Sequence, residues 1–289
     1  MKFIISISLI FLMFSISCFS QEYDNLQKAK QFIEGNKFKE AVTILKNIVN
    51  NDSKNHTAYY NLGRAYFGLK NYEDASEAFE EAIDLNEKEA NYHFWLGQSY
   101  AMEAQEANII SQAMLASDIL EEFEKTVELD PKHIPGRIGV INFYIAAPGI
   151  MGGDIDKAKY NANELIKLEE KSGRLALARI YLKQEKMDSL KIQLNILERK
   201  YEKDKSSASL YNALGYFYLN INKIDEAIAA FEKQVQLNPE SENSYDSLGD
   251  GYKAAGRIDD AIAQYKKALE INPKFKPSSE NLKKLQKEK

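Results

Sequence analysis

Two stretches of this chain can be laid on each other without a gap over 34 residues: "ASLYNALGYFYLNINKIDEAIAAFEKQVQLNPES" (208–241) and "ENSYDSLGDGYKAAGRIDDAIAQYKKALEINPKF" (242–275). A repeat of this length limits the fold more than any single motif. One copy cannot bury its apolar face alone, so copies must stack. In the second stretch Tyr245, Leu248, Gly249 and Tyr252 stand at i, i+3, i+4 and i+7, one stripe of a helix. Ala261, Tyr265 and Ala268 make the stripe of a second helix. Glycine at 249 suits a close helix crossing, and the small alanines leave room for rings. Asn272-Pro273 ends the unit, because proline disfavours helix at the residue before it.

The first stretch matches at Tyr211, Leu214, Gly215, Tyr218, Ala227, Phe231 and Pro239. Residues 56–89 match with Tyr59, Leu62, Gly63, Tyr66, Ala75, Phe79 and Ala82. These residue types at unequal spacings resemble the tetratricopeptide repeat, a helix–turn–helix unit. The resemblance implies an all-α, right-handed α-solenoid. Seven units are expected, at 22–55, 56–89, 90–133, 134–170, 171–207, 208–241 and 242–275. A polar capping helix is expected at 276–289, since the open end of such an array needs a wet face. The units at 22–55 and 171–207 are weaker copies, and the array leaves no segment for a separate catalytic domain.

Two units are interrupted. The second-helix alanine normally lies nine residues after the first-helix tyrosine, as from Tyr66 to Ala75 and from Tyr218 to Ala227. From Tyr100 to Ile119 the distance is nineteen, and from Tyr144 to Ala158 it is fourteen, so ten and five residues are inserted. Both insertions fall between the helices of adjacent units, which predicts that they emerge side by side on one edge. The first, "MEAQEANIISQAMLASD", has good helix formers and predicts longer helices. Ile109, Ile110, Met114 and Leu115 would then need cover, and Pro148, Gly149, Ile150, Met151 and Gly152 are expected to pack against them as one protrusion. The combination of a long third unit with "FYIAAPGIMGG" in the fourth resembles a group of exported bacterial tetratricopeptide proteins.

The first twenty residues, "MKFIISISLIFLMFSISCFS", carry one charge, an apolar run and a small-residue end. That is the pattern of a secretory signal peptide, with cleavage expected after Ser20. Export to the periplasm or the extracellular space follows. The alternative is an outer-membrane lipoprotein anchored through Cys18, although Ser15 stands where a lipobox has an aliphatic residue. Cys18 is the only cysteine, so a mature chain cut after Ser20 has no disulfide and must stand on its core. The net charge of −5 argues against nucleic acid, which needs a basic face. No later run is long and apolar enough to span a membrane, so no integral span is expected once the leader is removed.

No catalytic constellation emerges. "APGIMGGD" lacks the Lys-Ser or Lys-Thr of a phosphate loop and the spacing of a dinucleotide fingerprint. Aligned with "AGRIDDA", its second half reads as an ordinary inter-helix turn in which Gly153 matches Gly256 and supplies a positive φ. A contact from the Gly152 and Gly153 N–H groups to an anion is the competing reading. "GRAYFGLK" (63–70) lies inside a first helix and is rejected as a phosphate loop. His56, His93 and His133 have no metal-type partner at i+3 or i+4 and read as surface or packing residues. Trp95 reads as core. No cofactor, metal site or enzymatic activity is expected.

The resemblance implies a groove lined by first helices. Repeat position assigns to it Tyr60, Arg64, Phe67, Phe94, Gln98, Ile138 and Asn142, then Leu175, Arg179, Asn212, Tyr216, Asp246 and Asp250. Rings with interspersed Arg and Asn suit a peptide. The Lys/Asn clamp of cytosolic chaperone-binding members is not reproduced, because Tyr60 and Arg64 occupy those places. The expected function is a non-enzymatic exported scaffold for a protein or peptide partner. The alternative is a small-molecule or envelope-ligand binder that uses the paired edge insertions.

Overall fold

The structure is a computed structural model that describes residues 23–201 and 208–287. The expected leader at 1–20, with Cys18, lies outside the described residues. Among the described residues every regular element is a helix, and none is long and apolar enough to cross a membrane. The chain divides into two compact units, one ending at Leu168 and one starting at Glu169.

The first unit holds α1 (23–34), α2 (Phe38–Asn51), α3 (His56–Gly68), α4 (Tyr72–Leu85), α5 (Ala90–Glu106), α6 (Ile109–Leu129), α7 (Ile134–Ala146), a short 3₁₀ turn (Gly149–Met151) and α8 (Ile155–Leu168). From α2 onward each helix packs on the next, and α3, α5 and α7 also touch one another as a layer of first helices. The alanine positions make this close packing possible. Ala75, Phe79 and Ala82 of α4 are fully buried. A Cβ on Gly63 of α3 would stand 2.7 Å from the Phe79 ring, so the glycine sets how near the helices come.

The second unit holds α9 (Glu170–Lys183), α10 (Met187–Tyr201), α11 (Ala208–Asn220), α12 (Ile224–Leu237), α13 (Glu242–Ala254), α14 (Ile258–Ile271) and α15 (Lys276–Lys287). Its core repeats the same chemistry. Phe231 and Tyr265 are fully buried, each contributing on the order of 1.5–3 kcal/mol of apolar burial. Acidic pairs sit in the first turns of α12 (Asp225, Glu226) and α14 (Asp259, Asp260), where the helix dipole favours negative charge. The terminal helix α15 packs on α14, with Leu285 and the half-buried Leu282 in a cluster around Tyr265.

A second regularity joins neighbouring pairs. The first-helix tyrosine donates its hydroxyl to a glutamate twenty residues earlier: Tyr144 to Glu124 at 2.6 Å, Tyr252 to Glu232 at 3.2 Å, and Tyr100 to Glu80. Burial and the facing carboxylate push the Tyr100 and Tyr144 phenols far above their ordinary range, so both remain donors. At Tyr66 the partner at that place is Lys46, whose ammonium lies 5.5 Å from the ring centroid.

The regular turns share one geometry. Asn36, Lys70, Glu185, Asn222 and Gly256 adopt φ values of 57, 61, 58, 57 and 73°. The next residue then donates its N–H to the carbonyl of the first-helix aromatic, as in Lys223 to Tyr218 at 2.8 Å and Arg257 to Tyr252 at 2.9 Å. In the fourth copy Asp154 donates to Tyr144 in the same way, at 3.1 Å. Ten residues separate these partners instead of five, so the extra chain loops out between two ends that close normally. The positive φ is not at Gly153, where alignment with Gly256 places it, but at Gly152, with φ of 95°. Gly153 is needed for another reason: a Cβ there would stand 1.9 Å from the Ala147 carbonyl oxygen.

The third copy absorbs its insertion as helix. α5 has 17 residues and α6 has 21, against 13 in α3 and 14 in α4. Asn108 starts α6 by accepting from the Ile110 and Ser111 N–H groups at 3.0 and 3.2 Å.

Candidate functional site

On the first unit, α3 and α5 present a continuous set of rings. Tyr60 stacks on Tyr92 with centroids 4.7 Å apart, and Phe67 meets Trp95 edge-on at 5.1 Å. Phe94 lies 5.6 Å from Trp95 and 5.1 Å from His133. The Arg64 guanidinium sits 5.8 Å from the Tyr60 centroid and 5.9 Å from that of Trp95, and it makes no ion pair among the described residues. Burial raises the Tyr60 phenol, against the pull of the Arg64 charge. Tyr60, Arg64, Phe67 and Phe94 thus belong to one half-buried cluster, held together by Trp95 and Tyr92. Trp95 is half-buried rather than enclosed, and neither it nor Tyr92 is marked by repeat position as part of the face.

On the second unit the assigned residues are largely taken up by packing. Ser247 donates to Asn212 Oδ1 at 2.8 Å, and Tyr216 donates to Asp250 Oδ2 at 2.9 Å. Tyr265 and Asn281 donate to Asp250 Oδ1 at 2.7 and 3.3 Å. Asp246 is buried and accepts from Ser278 Oγ of α15. Burial raises the Asp246 carboxyl, while the Ser278 hydroxyl opposes the shift. The last two acids are therefore covered by the terminal helix. Leu175 packs into the core cluster of its unit, and Arg179 stands at the surface.

The edge insertions border an open pocket of about 400 Å³ within the first unit. α5 supplies Gln98, Ala101, Ala104 and Gln105, and α6 supplies Gln112, Ala116, Ile119 and Phe123. α7 supplies Gly139, Asn142, Phe143 and Ala146, and the loop that follows closes the end with Ala147, Pro148 and Met151. Gln98 and Asn142 thus meet here, whereas Ile138 is half-buried on α7 outside the pocket. Pro148 and Met151 lie close to α6 as the expected protrusion requires, and Leu115 is half-buried. The mutual cover is not formed. Ile109, Ile110, Met114 and Ile150 remain 63, 71, 72 and 95 % exposed, and Gly149 and Gly152 are exposed with them. The looped-out chain meets α6 on the side of Gln112, Ala116 and Ile119, whereas Ile110 and Met114 lie on its opposite side.

The histidines are packing residues. His133 Nδ1 accepts from the Gly136 N–H at 2.9 Å and caps α7, so Nε2 carries the proton and faces Asn91 Oδ1 at 3.2 Å. His56 Nδ1 lies 2.8 Å from the Tyr92 hydroxyl. No group of three His, Cys, Asp or Glu side chains is placed to hold a metal among the described residues.

Stacked helix pairs with a layer of first helices define an all-α solenoid. Sequence models of the tetratricopeptide repeat match residues 56–89, 208–241 and 243–275, and the chain is a tetratricopeptide-repeat protein. A tetratricopeptide repeat protein from Parabacteroides merdae is similar in structure, with a TM-score of 0.69 at 18 % identity, covering 92 % of this chain and 99 % of that one. The APC/C hetero-tetramer Cut9–Hcn1 is similar with a TM-score of 0.56 at 15 % identity, covering 89 % of this chain and 48 % of that one. At these identities the likeness is one of fold. No curated protein matches the sequence.

Proposed function

We propose that this chain is an exported, non-enzymatic interaction scaffold that binds a protein or peptide partner on the layer of first helices. The repeat fold supports the scaffold role. The observation that carries the binding face is Arg64, a cation set between the Tyr60 and Trp95 rings with no carboxylate paired to it among the described residues. Such a group is available to an acidic side chain or a terminal carboxylate of a partner. Export is supported by the leader pattern of residues 1–20. The test is capture of partners from envelope extract by the full chain. One defined partner is expected, and it is lost in the Tyr60→Ala, Phe94→Ala double variant at unchanged helix content. A partner that stays bound to that variant refutes the assignment of the face.

The pocket walled by α5, α6 and α7 favours a second reading, ligand capture at the insertion edge.

A further inference from the structure

The pocket at the insertion edge exists because small residues stand where helices would otherwise fill the space. Ala101, Ala104, Ala116, Gly139, Ala146 and Ala147 line a volume of about 400 Å³, which is within the range of ligand sites. In a chain with 28 % charged residues, none of its fifteen lining residues is charged. The only polar side chains are the carboxamides of Gln98, Gln105, Gln112 and Asn142, and each offers both a donor and an acceptor. Gln112 uses its N–H on the Ala107 carbonyl at 3.0 Å, leaving its oxygen, and Asn142 is already engaged within the protein, whereas the carboxamides of Gln98 and Gln105 make no hydrogen bond among the described residues.

The stripe of α6 that faces the pocket runs through Gln112, Ala116, Ile119 and Phe123, and its next position toward the helix start is the exposed Ile109. Ile150, beside the lining residues Pro148 and Met151, is exposed as well, while Ile110 and Met114 turn to the opposite side of α6. Exposed apolar residues grouped around a pocket mark a place that another molecule covers.

We propose that this pocket receives an uncharged peptide segment of the partner, burying one large apolar side chain against Phe123 and Phe143 while its backbone pairs with the carboxamides. The proposal rests on the scaffold reading and locates its anchor. A charged ligand would enter without a counter-charge, at a desolvation cost. A hydrocarbon chain would strip the carboxamides of water and give no partner back. A sugar would press hydroxyls against Ala104, Ala116 and Ile119. An extended backbone offers one N–H and one C=O per residue, which matches a carboxamide in both senses.

The test is selection of a random peptide display library on the full chain, followed by fluorescence anisotropy with a selected peptide as probe. Selected peptides are expected to share an uncharged segment with Leu, Ile, Met or Phe, and to bind with little dependence on salt. Ala104→Leu and Ala146→Leu fill the pocket and lower affinity roughly tenfold or more. Ala146 is exposed at the end of α7, so leucine there leaves folding intact, and Gln98→Met reports loss of the carboxamide at nearly constant size. Charged winners with salt-dependent binding, no winner at all, or affinity unchanged by both fillings overturn the proposal. Displacement of the probe by a neutral fatty alcohol or an oligosaccharide in preference to peptide does so too. Phe94 packs on Phe123 of the pocket wall with centroids 6.2 Å apart, but Tyr60 lies outside the pocket, so Tyr60→Ala alone leaves the probe bound. The pocket and the scaffold reading therefore fail separately.

Discussion

His93 is buried with both ring nitrogens facing acceptors: Nδ1 lies 2.7 Å from Glu122 Oε2, and Nε2 lies 3.0 Å from the Glu87 carbonyl. Burial pulls its pKa down, as does Lys125, but the Glu122 carboxylate and the Glu87 carbonyl outweigh both and hold it above the ordinary range. A histidine with a raised folded-state pKa adds stability that is complete below its unfolded value, about 6.5. That stability is lost as pH rises through the folded value. His93→Gln is thus expected to cost about 2 kcal/mol near pH 6 and progressively less above pH 7, read by denaturant titration at several pH values. Gly249 sets a steric limit of the same scale. A Cβ there would stand 2.6 Å from the ring of the fully buried Tyr265. Gly249→Ala is expected to destabilise by about 1–3 kcal/mol, with an unchanged helical spectrum. The glycine could be read from repeat spacing because its reason recurs in each copy. The role of His93 could not, because Glu122 stands 29 residues away, across the inserted chain.

Among the elements, the turn after α7 separates what pattern shows from what it hides. The alignment of "GGDIDKA" with "AGRIDDA" locates the end of the turn, and the Asp154 to Tyr144 bond places it there. It misassigns the left-handed residue, because looped-out chain lets the reversal occur one position earlier, at Gly152. Deleting residues 147–151 restores the five-residue spacing and brings Gly153 to the place of Gly256. That deletion is expected to change stability by less than about 1 kcal/mol in a thermal or chemical melt, while removing the end wall of the pocket. A larger loss would mean that Met151 and Pro148 hold α6 in place. The tyrosine–glutamate bonds between neighbouring pairs escaped the pattern, although the twenty-residue spacing is visible once the partners are known.

For the molecule as a whole, fold class and family were legible because both rest on stripes that repeat. The proposed face was legible only as a set of positions. Repeat position named Tyr60, Arg64 and Phe94, which the structure gathers into one ring cluster, but it left Asp246 and Asp250 on an open end that Ser278 and Asn281 of α15 cover. A polar helix such as "KPSSENLKKLQKEK" does not announce which neighbours its serines reach. The lone cysteine carries a prediction about the entire chain. The exported form is expected to begin at Gln21 by intact mass, and its melting should be indifferent to reductant. A mass that retains Cys18 with added acyl chains would establish the lipoprotein alternative instead.

The bond from Asp154 to Tyr144 is the same whether five or ten residues intervene, so the helices on either side do not register what lies between. Lengthening such a loop costs only about 0.6 kcal/mol per doubling. The exposed junction of Gly149 and Ile150 is accordingly a natural graft point. An epitope or a small reporter spliced there would ride on the rim of the pocket and signal its occupation, with the stack beneath it unchanged.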